Sequence, residues 1–434
     1  MRYHMKYNTQ NEKIEAITDN TMVVGIDIGS EEHYARAFDN RGRELSAKPF
    51  SFHNDEEGFA SLITWMEELK QKHDMHHVLP GMEPTGHYWF DLAAFLQKND
   101  MRPVHVNPYH VKQSKELDDN NPNKTDRKDP KVIAGLVNEG RYSYPYIPEG
   151  IYAEIRSLSN QLAWSQKVLT GLKNRLARWF SIYFPEYREV YKNPDAISGM
   201  MILRKAPLPA DIAALGVQGV NQIWRDAKMK AVGLKRAMTL VNAAMNSIGK
   251  TEGPEAARIE LKNLLEDINR YMNRINELMT LLAEKASEVP YIDKLLHIRG
   301  VGPKTAYGFI AEVGDIRRFD DPKQLQKLAG FAIVESSSGK HQGEHHISYR
   351  GRKRLRYVLY EAALSVVGQN PEFKRIYQYY TTRKLNPLKK MQALVAIACK
   401  LIRVFYVILA KGVDYDGTKM LNDIRRPQED MKAA

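Results

Sequence analysis

A chain of 434 residues is too long for one ordinary hydrophobic core, so two or three domains are expected. Lysine plus arginine number 64 against 52 aspartate plus glutamate, a formal charge of +12, and this excess favours a polyanionic partner because each neutralised phosphate releases counterions. A single cysteine, Cys399, excludes internal disulfides and cysteine-rich zinc sites; with no secretory leader, basic amphipathic anchor or long apolar span expected, the default setting is intracellular and reducing, without a membrane.

Residues up to about Asp19 are polar and expected to be loosely ordered. The run Met22-Val23-Val24-Gly25-Ile26-Asp27-Ile28-Gly29-Ser30 is β-branched and too short for a helix, which predicts a buried strand ending at a carboxylate. His33 to Phe38 and Glu44 to Phe50 flank a turn at Asp39-Asn40-Arg41-Gly42, predicting a meander of three antiparallel strands. Asn54 is placed to cap a helix with Phe59, Leu62, Ile63, Met66 and Leu69 on its apolar face. A strand is expected from His77 to Glu83 despite Pro80, a helix from Tyr88 to Gln97, a strand from Arg102 to Val106, and a further helix opening at Lys124-Thr125-Asp126-Arg127-Lys128-Asp129-Pro130. The order βββαβαβ implies a mixed sheet with helices packed on its faces.

Pro145, Pro148 and Gly150 mark a boundary. Beyond it, long amphipathic helices from Tyr152 to about Phe184 and from Glu255 to Glu288 suit an antiparallel helical hairpin or an oligomer seam, with a mostly helical insertion from Asn193 to Lys250 between them. Pro290 opens the last region, where Leu295-Leu296-His297-Ile298-Arg299-Gly300-Val301-Gly302-Pro303-Lys304-Thr305-Ala306 reads as a helix-hairpin-helix that offers backbone N–H groups and Lys304 to a phosphate. Helices are expected over 322–329, 352–367 and 387–409. The expected organisation is an α/β domain over 21–148 behind a flexible 1–20, a coiled-coil-like region over 149–290, a helical domain over 291–375 and a helical extension over 376–434.

Four carboxylates stand out by location. Asp27 is on the first strand, Glu83 ends a later one, and Asp126 and Asp129, three apart, fall on one face at a helix start. Oxygen-only ligation suits Mg²⁺, and two such ions about 3.5–4 Å apart would serve both the attacking and the leaving oxygen of a phosphodiester. The plainer reading of Asp126 and Asp129 is a helix cap. Arg350, Arg352, Lys353, Arg354 and Arg356 lead from a turn into a helix and are expected to meet phosphates. The histidines His73, His76, His77, His345 and His346 lack matching cysteines or acids and are read as surface or nucleic-acid contacts.

Asp27 in Gly-Ile-Asp-Ile-Gly-Ser, Glu83 in Gly-Met-Glu-Pro-Thr-Gly and the Lys-Thr-Asp126-Arg-Lys-Asp129 block resemble the DEDD metal-binding set of IS110-type (IS110/IS1111) insertion-sequence transposases, whose N-terminal domain is RuvC-like. Ile-Arg-Gly-Val-Gly-Pro-Lys-Thr-Ala, Glu312-Val-Gly-Asp-Ile-Arg-Arg-Phe, Leu-Ala-Gly-Phe, Ser336-Ser-Ser-Gly339-Lys340 and Ile347-Ser-Tyr-Arg-Gly-Arg-Lys-Arg-Leu-Arg resemble the C-terminal part of the same family. The resemblance covers about 22–140 and 291–365, and the long middle segment and the tail beyond Lys411 depart from the common pattern. It implies an RNase H/RuvC-like sheet domain and a helical transposase domain, with Mg²⁺, two ions, on Asp27, Glu83, Asp126 and Asp129. It also implies a serine nucleophile at Ser338, with Ser337 as runner-up, Lys340 placed to balance developing charge, donor and target DNA, an element-encoded guide (bridge) RNA, a homo-dimer or tetramer, and a prokaryotic cytoplasmic, nucleoid-associated setting. Without the resemblance, Ser-Ser-Ser-Gly reads as a flexible loop.

A RuvC-like Holliday-junction nuclease would share the acids but not need the serine. An actin-like ATPase or sugar kinase would need a second phosphate loop and a glycine-rich adenosine site, neither of which is found. A non-catalytic nucleic-acid scaffold would tolerate Asp27→Asn. The residues favour the recombinase over all three.

Overall fold

A computed structural model describes residues 10–84, 86–118, 129–335 and 345–421, and the chain divides into two compact units, Met1–Ile147 and Pro148–Ala434. In the first unit, after helix α1 (Gln10–Glu15), come β1 (Thr21–Asp27), β2 (Glu32–Phe38), β3 (Phe50–His53), α2 (Glu56–Lys72), β4 (His77–Met82), α3 (Trp89–Lys98), β5 (Val104–Val106), α4 (Pro108–Asp118), α5 (Asp129–Asn138) and β6 (Tyr142–Ser143). The six strands form one sheet in the order β3-β2-β1-β4-β5-β6. The meander β1-β2-β3 is antiparallel, β4 and β5 run parallel to β1, and β6 returns antiparallel to β5. This is the mixed-sheet arrangement of RNase H/RuvC-like domains. Met22, Val24 and Ile26 pack with α2 and α3 on one face of the sheet, while Val23 packs with α5 on the other, so β1 is buried from both sides.

Two local expectations shift. The third strand is Phe50–His53, and Glu44 only bridges to Phe38. The segment around Glu44 is polar: Glu44 pairs with Arg36 at 2.6 Å and Ser46 Oγ accepts the Ala37 N–H, whereas Phe50 brings a ring that stacks on Trp65 of α2 at 4.9 Å. The cap of α2 is Asp55, which accepts the Gly58 N–H at 2.7 Å, while Asn54 donates to the Ser30 carbonyl instead. Pro80 is tolerated inside β4 because β5 pairs only with Gly81 and Met82, so no ladder on that side asks Pro80 for an N–H.

The second unit is built on α6 (Gly150–Tyr183) and α11 (Pro254–Ser287), each 34 residues long and packed on one another. Between them lie α7 (Tyr187–Val190), α8 (Ile197–Lys205), α9 (Pro209–Asp226) and α10 (Leu234–Met245). These close a core around Trp179, Phe180, Tyr187 and Trp224 at one end of the hairpin. After α11 follow α12 (Ile292–Leu296), α13 (Pro303–Val313), α14 (Pro322–Ala329), the two-stranded ribbon β7 (Ile333–Glu335) and β8 (His345–Ile347), α15 (Lys353–Gln369), α16 (Pro371–Thr382) and α17 (Lys390–Lys411). They form a second core with Ile155 and Leu162 of α6 and Leu278 and Leu282 of α11. Helix α17 corrects the expectation of no long apolar span: its 22 residues have the length and composition to cross a membrane. Its Leu401, Ile402, Phe405 and Ile408 are buried in this core, which accounts for the apolarity.

Candidate active site

Parity along the strands decides which side chains share a face. Gly25 lies on the same face of β1 as Val23, and a Cβ there would meet the Pro130 carbonyl oxygen of α5 at 1.8 Å and the Ala134 nitrogen at 2.9 Å. Asp27, two residues on, therefore ends β1 on the side that α5 covers. Gly81 of β4 also faces α5, since a Cβ there would meet Val137 at 2.5 Å. Ile26 pairs with Met82, so the next residues along these parallel strands, Asp27 and Glu83, reach the same sheet edge.

The direction of α5 is fixed at its far end. Asn138 Nδ2 donates to the Asp39 carbonyl at 3.0 Å, just past Phe38, which pairs with Val23 near the start of β1. The first residue of α5, Asp129, is consequently at the Asp27 end, and it is only 6% exposed. The positive end of the helix dipole lies there too, which favours carboxylates. The backbone thus sets Asp27 and Glu83 at neighbouring strand ends and Asp129 at the start of the helix that covers that face of the sheet. Asp126 lies outside the described residues. None of the three lacks an interaction partner, and among the described residues no three His, Cys, Asp or Glu side chains are gathered closely enough to cage an ion by themselves.

Two residues that the sequence did not single out support this edge. Tyr34 pairs with Asp27 across β1 and β2, and its hydroxyl donates to Glu32 at 2.6 Å. His33 is fully buried and its Nδ1 accepts the Gly29 N–H at 3.1 Å, which ties down the turn that follows Asp27. Burial holds the His33 pKa below the ordinary imidazole value, consistent with Nδ1 as an acceptor. The signal for His33 was the alternation His33, Ala35, Ala37 on the inward face of β2.

In the second unit, α12 and α13 form the expected helix-hairpin-helix. Gly300 has φ +93°, and a Cβ there would press on the backbone of Val366 in α15 at 2.9 Å, so only glycine fits the turn. Gly302 caps α13 without a side chain, and Lys304 is exposed in its first turn. The basic run divides. Arg352 donates to the Glu312 carbonyl at 2.9 Å, Arg354 to Asn160 Oδ1 at 2.6 Å and to Ser159, and Arg356 to the Ala329 carbonyl at 2.9 Å. These three guanidinium groups are spent on the fold, while Arg350 and Lys353 are exposed. Glu312, which is 7% exposed, is the anchor: Arg352 and Arg354 lie 3.5 and 3.8 Å from its carboxylate, and Arg156 of α6 donates to its carbonyl at 2.9 Å. A lone acid in the apolar run Gly308–Val313 of α13 was the available signal. Ser336, Ser337, Ser338 and Lys340 fall in the segment joining β7 to β8 and lie outside the described residues. Neither His346, on β8, nor His73, His76 or His77 joins a group of potential metal ligands among the described residues, and the side chain of His345 lies outside the description.

Comparison with known proteins agrees with this architecture. A family profile described as Transposase (DEDD_Tnp_IS110) matches residues 24–185, and one described as Transposase IS116/IS110/IS902 family matches residues 292–378. The chain is 24% identical to the 44.8 kDa protein of insertion element IS116 from Streptomyces clavuligerus, over 89% of this chain and 94% of that one. It is 21% identical to the 42 kDa protein of insertion element IS900 from Mycobacterium paratuberculosis, over 90% of this chain and 96% of that one. Over a shorter stretch, 31% of this chain and 34% of the other, it is 31% identical to the protein named "Putative transposase y4rJ" of Sinorhizobium fredii. With an RNase H-like sheet domain matching the first profile and a helical unit matching the second, the chain belongs to the IS110 family of transposases.

Proposed function

We propose that this transposase cuts and rejoins DNA through a serine ester, with Asp27, Glu83, Asp126 and Asp129 as its divalent-metal ligands. The observation that carries the reading is the seating of α5 on Gly25, which brings Asp129 to the edge where β1 and β4 deliver Asp27 and Glu83. Mg²⁺ fits such a set, because it uses one or two protein carboxylates and completes its octahedron with water and substrate phosphate rather than demanding a closed protein cage. When bound, the metal lowers the pKa of an attacking hydroxyl and offsets charge on the phosphate.

The chain's own residues do the rest. Ser338 Oγ forms a bond to the scissile phosphorus while one DNA oxygen leaves and takes a proton. A hydroxyl of the exchanging strand then displaces the serine, which recovers its Oγ–H, so the phosphodiester count is conserved. Lys340 balances charge on the phosphate during both steps. Lys304 with the start of α13, and Arg350 and Lys353 at the start of α15, hold backbone phosphates. Target choice is delegated to an element-encoded RNA that pairs with donor and target DNA, and the chain works as a homo-oligomer, dimer or tetramer, through its α6 and α11 hairpin.

Incubating the protein and Mg²⁺ with DNA carrying the element ends, then quenching in detergent, should trap a covalent protein–DNA adduct that maps to Ser338 by peptide mass. Ser338→Ala should abolish adduct and strand transfer, and Asp27→Asn should do the same without loss of DNA binding. Cleavage that survives both Ser338→Ala and Ser337→Ala would instead indicate a metal nuclease of the Holliday-junction type.

A further inference from the structure

The segment between α6 and α11 supplies none of the proposed chemistry, yet its surface charge is not what its own stability asks for. Lys228, Lys230, Lys235 and Arg236 are all exposed along one short stretch. Three of them, Lys230, Lys235 and Arg236, line a cleft of about 660 Å³ together with Glu189, Val190 and Leu234. Other cations of the same region are neutralised locally, Lys173 by Asp195 at 2.6 Å and Arg258 by Asp211 at 2.7 Å. The four enter no ion pair among the described residues.

Helix α10 adds to the imbalance. Its first turn contains no acid and carries Lys235 and Arg236 behind a glycine cap, the reverse of what the helix dipole favours. Arg236 is also held in place, with its guanidinium 5.4 Å from the centre of the Tyr191 ring. Lys235 and Arg236 oppose their own helix dipole, and Glu189 is the one acid among the cleft's lining residues, so the cleft keeps an excess of positive charge that an anion arriving from outside would balance. A single ion would not need a cleft of this size; a row of phosphates would.

We propose that this cleft binds the phosphodiester backbone of a nucleic-acid duplex, through Lys228, Lys230, Lys235 and Arg236. The inference rests on the reading of the chain as a nucleic-acid enzyme and assigns the insertion a grip remote in sequence from the acids and the serine. Duplex DNA and duplex RNA present the same chemistry, and the sequence-independent part of such binding is read from its salt dependence.

The test measures fluorescence anisotropy of full-length protein with labelled duplex DNA and, separately, labelled duplex RNA, in EDTA so that no cleavage chemistry contributes, across a series of salt concentrations. Lys230→Gln/Lys235→Gln/Arg236→Gln is compared with a charge-matched variant, Lys98→Gln/Lys384→Gln/Lys411→Gln, whose residues are also exposed. The cleft variant should bind at least about tenfold more weakly, with a salt slope shallower by about 0.9 for each phosphate no longer neutralised, on the duplex that occupies the cleft. Lys230→Gln alone, in the loop before α10, should give about one such step, which keeps the test open if the triple variant misfolds. Affinities and slopes equal to those of the charge-matched variant on both duplexes would overturn the proposal while leaving the recombinase reading intact. Polyglutamate displacing either duplex with equal affinity and slope would point to an acidic protein partner and overturn it as well. A wild-type protein that binds neither duplex would sink the nucleic-acid reading itself.

Discussion

The acidic edge depends on how closely α5 approaches β1, and Gly25→Ala tests that directly. The added methyl carbon would sit 1.8 Å from Pro130 O, roughly 1.5 Å or more inside ordinary van der Waals contact. Both partners are backbone, so no rotamer change relieves the clash; the helix must lift from the strand or the strand must bend. Overpacking of this kind costs about 3 kcal/mol, which lowers the melting temperature of a unit of this size by about 6–12 °C. Gly135→Ala is the control on the same helix. A Cβ there meets nothing within 4 Å, and removing a helical glycine stabilises by about 1 kcal/mol. Differential scanning calorimetry should therefore show opposite shifts for two Gly→Ala changes in contacting elements. DNA cleavage should fall in Gly25→Ala even below its melting temperature, because Asp129 is moved from Asp27, and should persist in Gly135→Ala. A Gly25→Ala protein with wild-type melting and wild-type cleavage would refute the placement of α5.

Other outcomes follow from particular side chains. Arg354→Met, which removes the bonds to Ser159 and Asn160 and strips Glu312 of a neighbouring cation, should destabilise the second unit by about 2–4 kcal/mol. Lys353→Gln, at an exposed position, should leave melting unchanged and weaken DNA binding only. His105 has its pKa pushed by burial from 6.5 to about 4. The unfolded chain then binds more protons between these values, so the stability tied to neutral His105 is complete above pH 6.5 and drains away as the pH falls towards 4, by at most about 3 kcal/mol. His105→Gln should flatten that slope in urea titrations at pH 4, 5, 6 and 7. Asp55→Ala should cost about 1 kcal/mol through loss of the α2 cap and Asn54→Ala clearly less, a comparison that urea unfolding resolves.

Features written in local sequence were legible. The apolar, β-branched run through Met22 to Ile26 announces a buried strand whatever surrounds it, and the long helices are expected over Tyr152–Phe184 and Glu255–Glu288 and observed over Gly150–Tyr183 and Pro254–Ser287. Features set by partners far along the chain were not. Gly25 reads as an ordinary strand glycine until Pro130 is found against it. Arg352 and Arg354 look like phosphate contacts until Glu312, Ser159 and Asn160 claim them. The alternation of Glu44 to Phe50 predicts a third strand earlier than the observed Phe50–His53, because only the aromatic packing of Phe50 on Trp65 decides where the ladder resumes. Strand β6 is two residues long, and the ribbon β7-β8 has three residues in each strand, too short for periodicity to reveal.

The central claim is that acids from two strand ends and one helix start bind a divalent ion as a set. Isothermal titration of Mn²⁺, which binds oxygen sites of this kind more tightly than Mg²⁺, into the protein bound to uncleaved duplex DNA measures it. Saturable binding in the wild type that is lost in Asp27→Asn, in Glu83→Gln and in Asp129→Asn is the expected result. Unchanged Mn²⁺ binding in any two of these variants would contradict it.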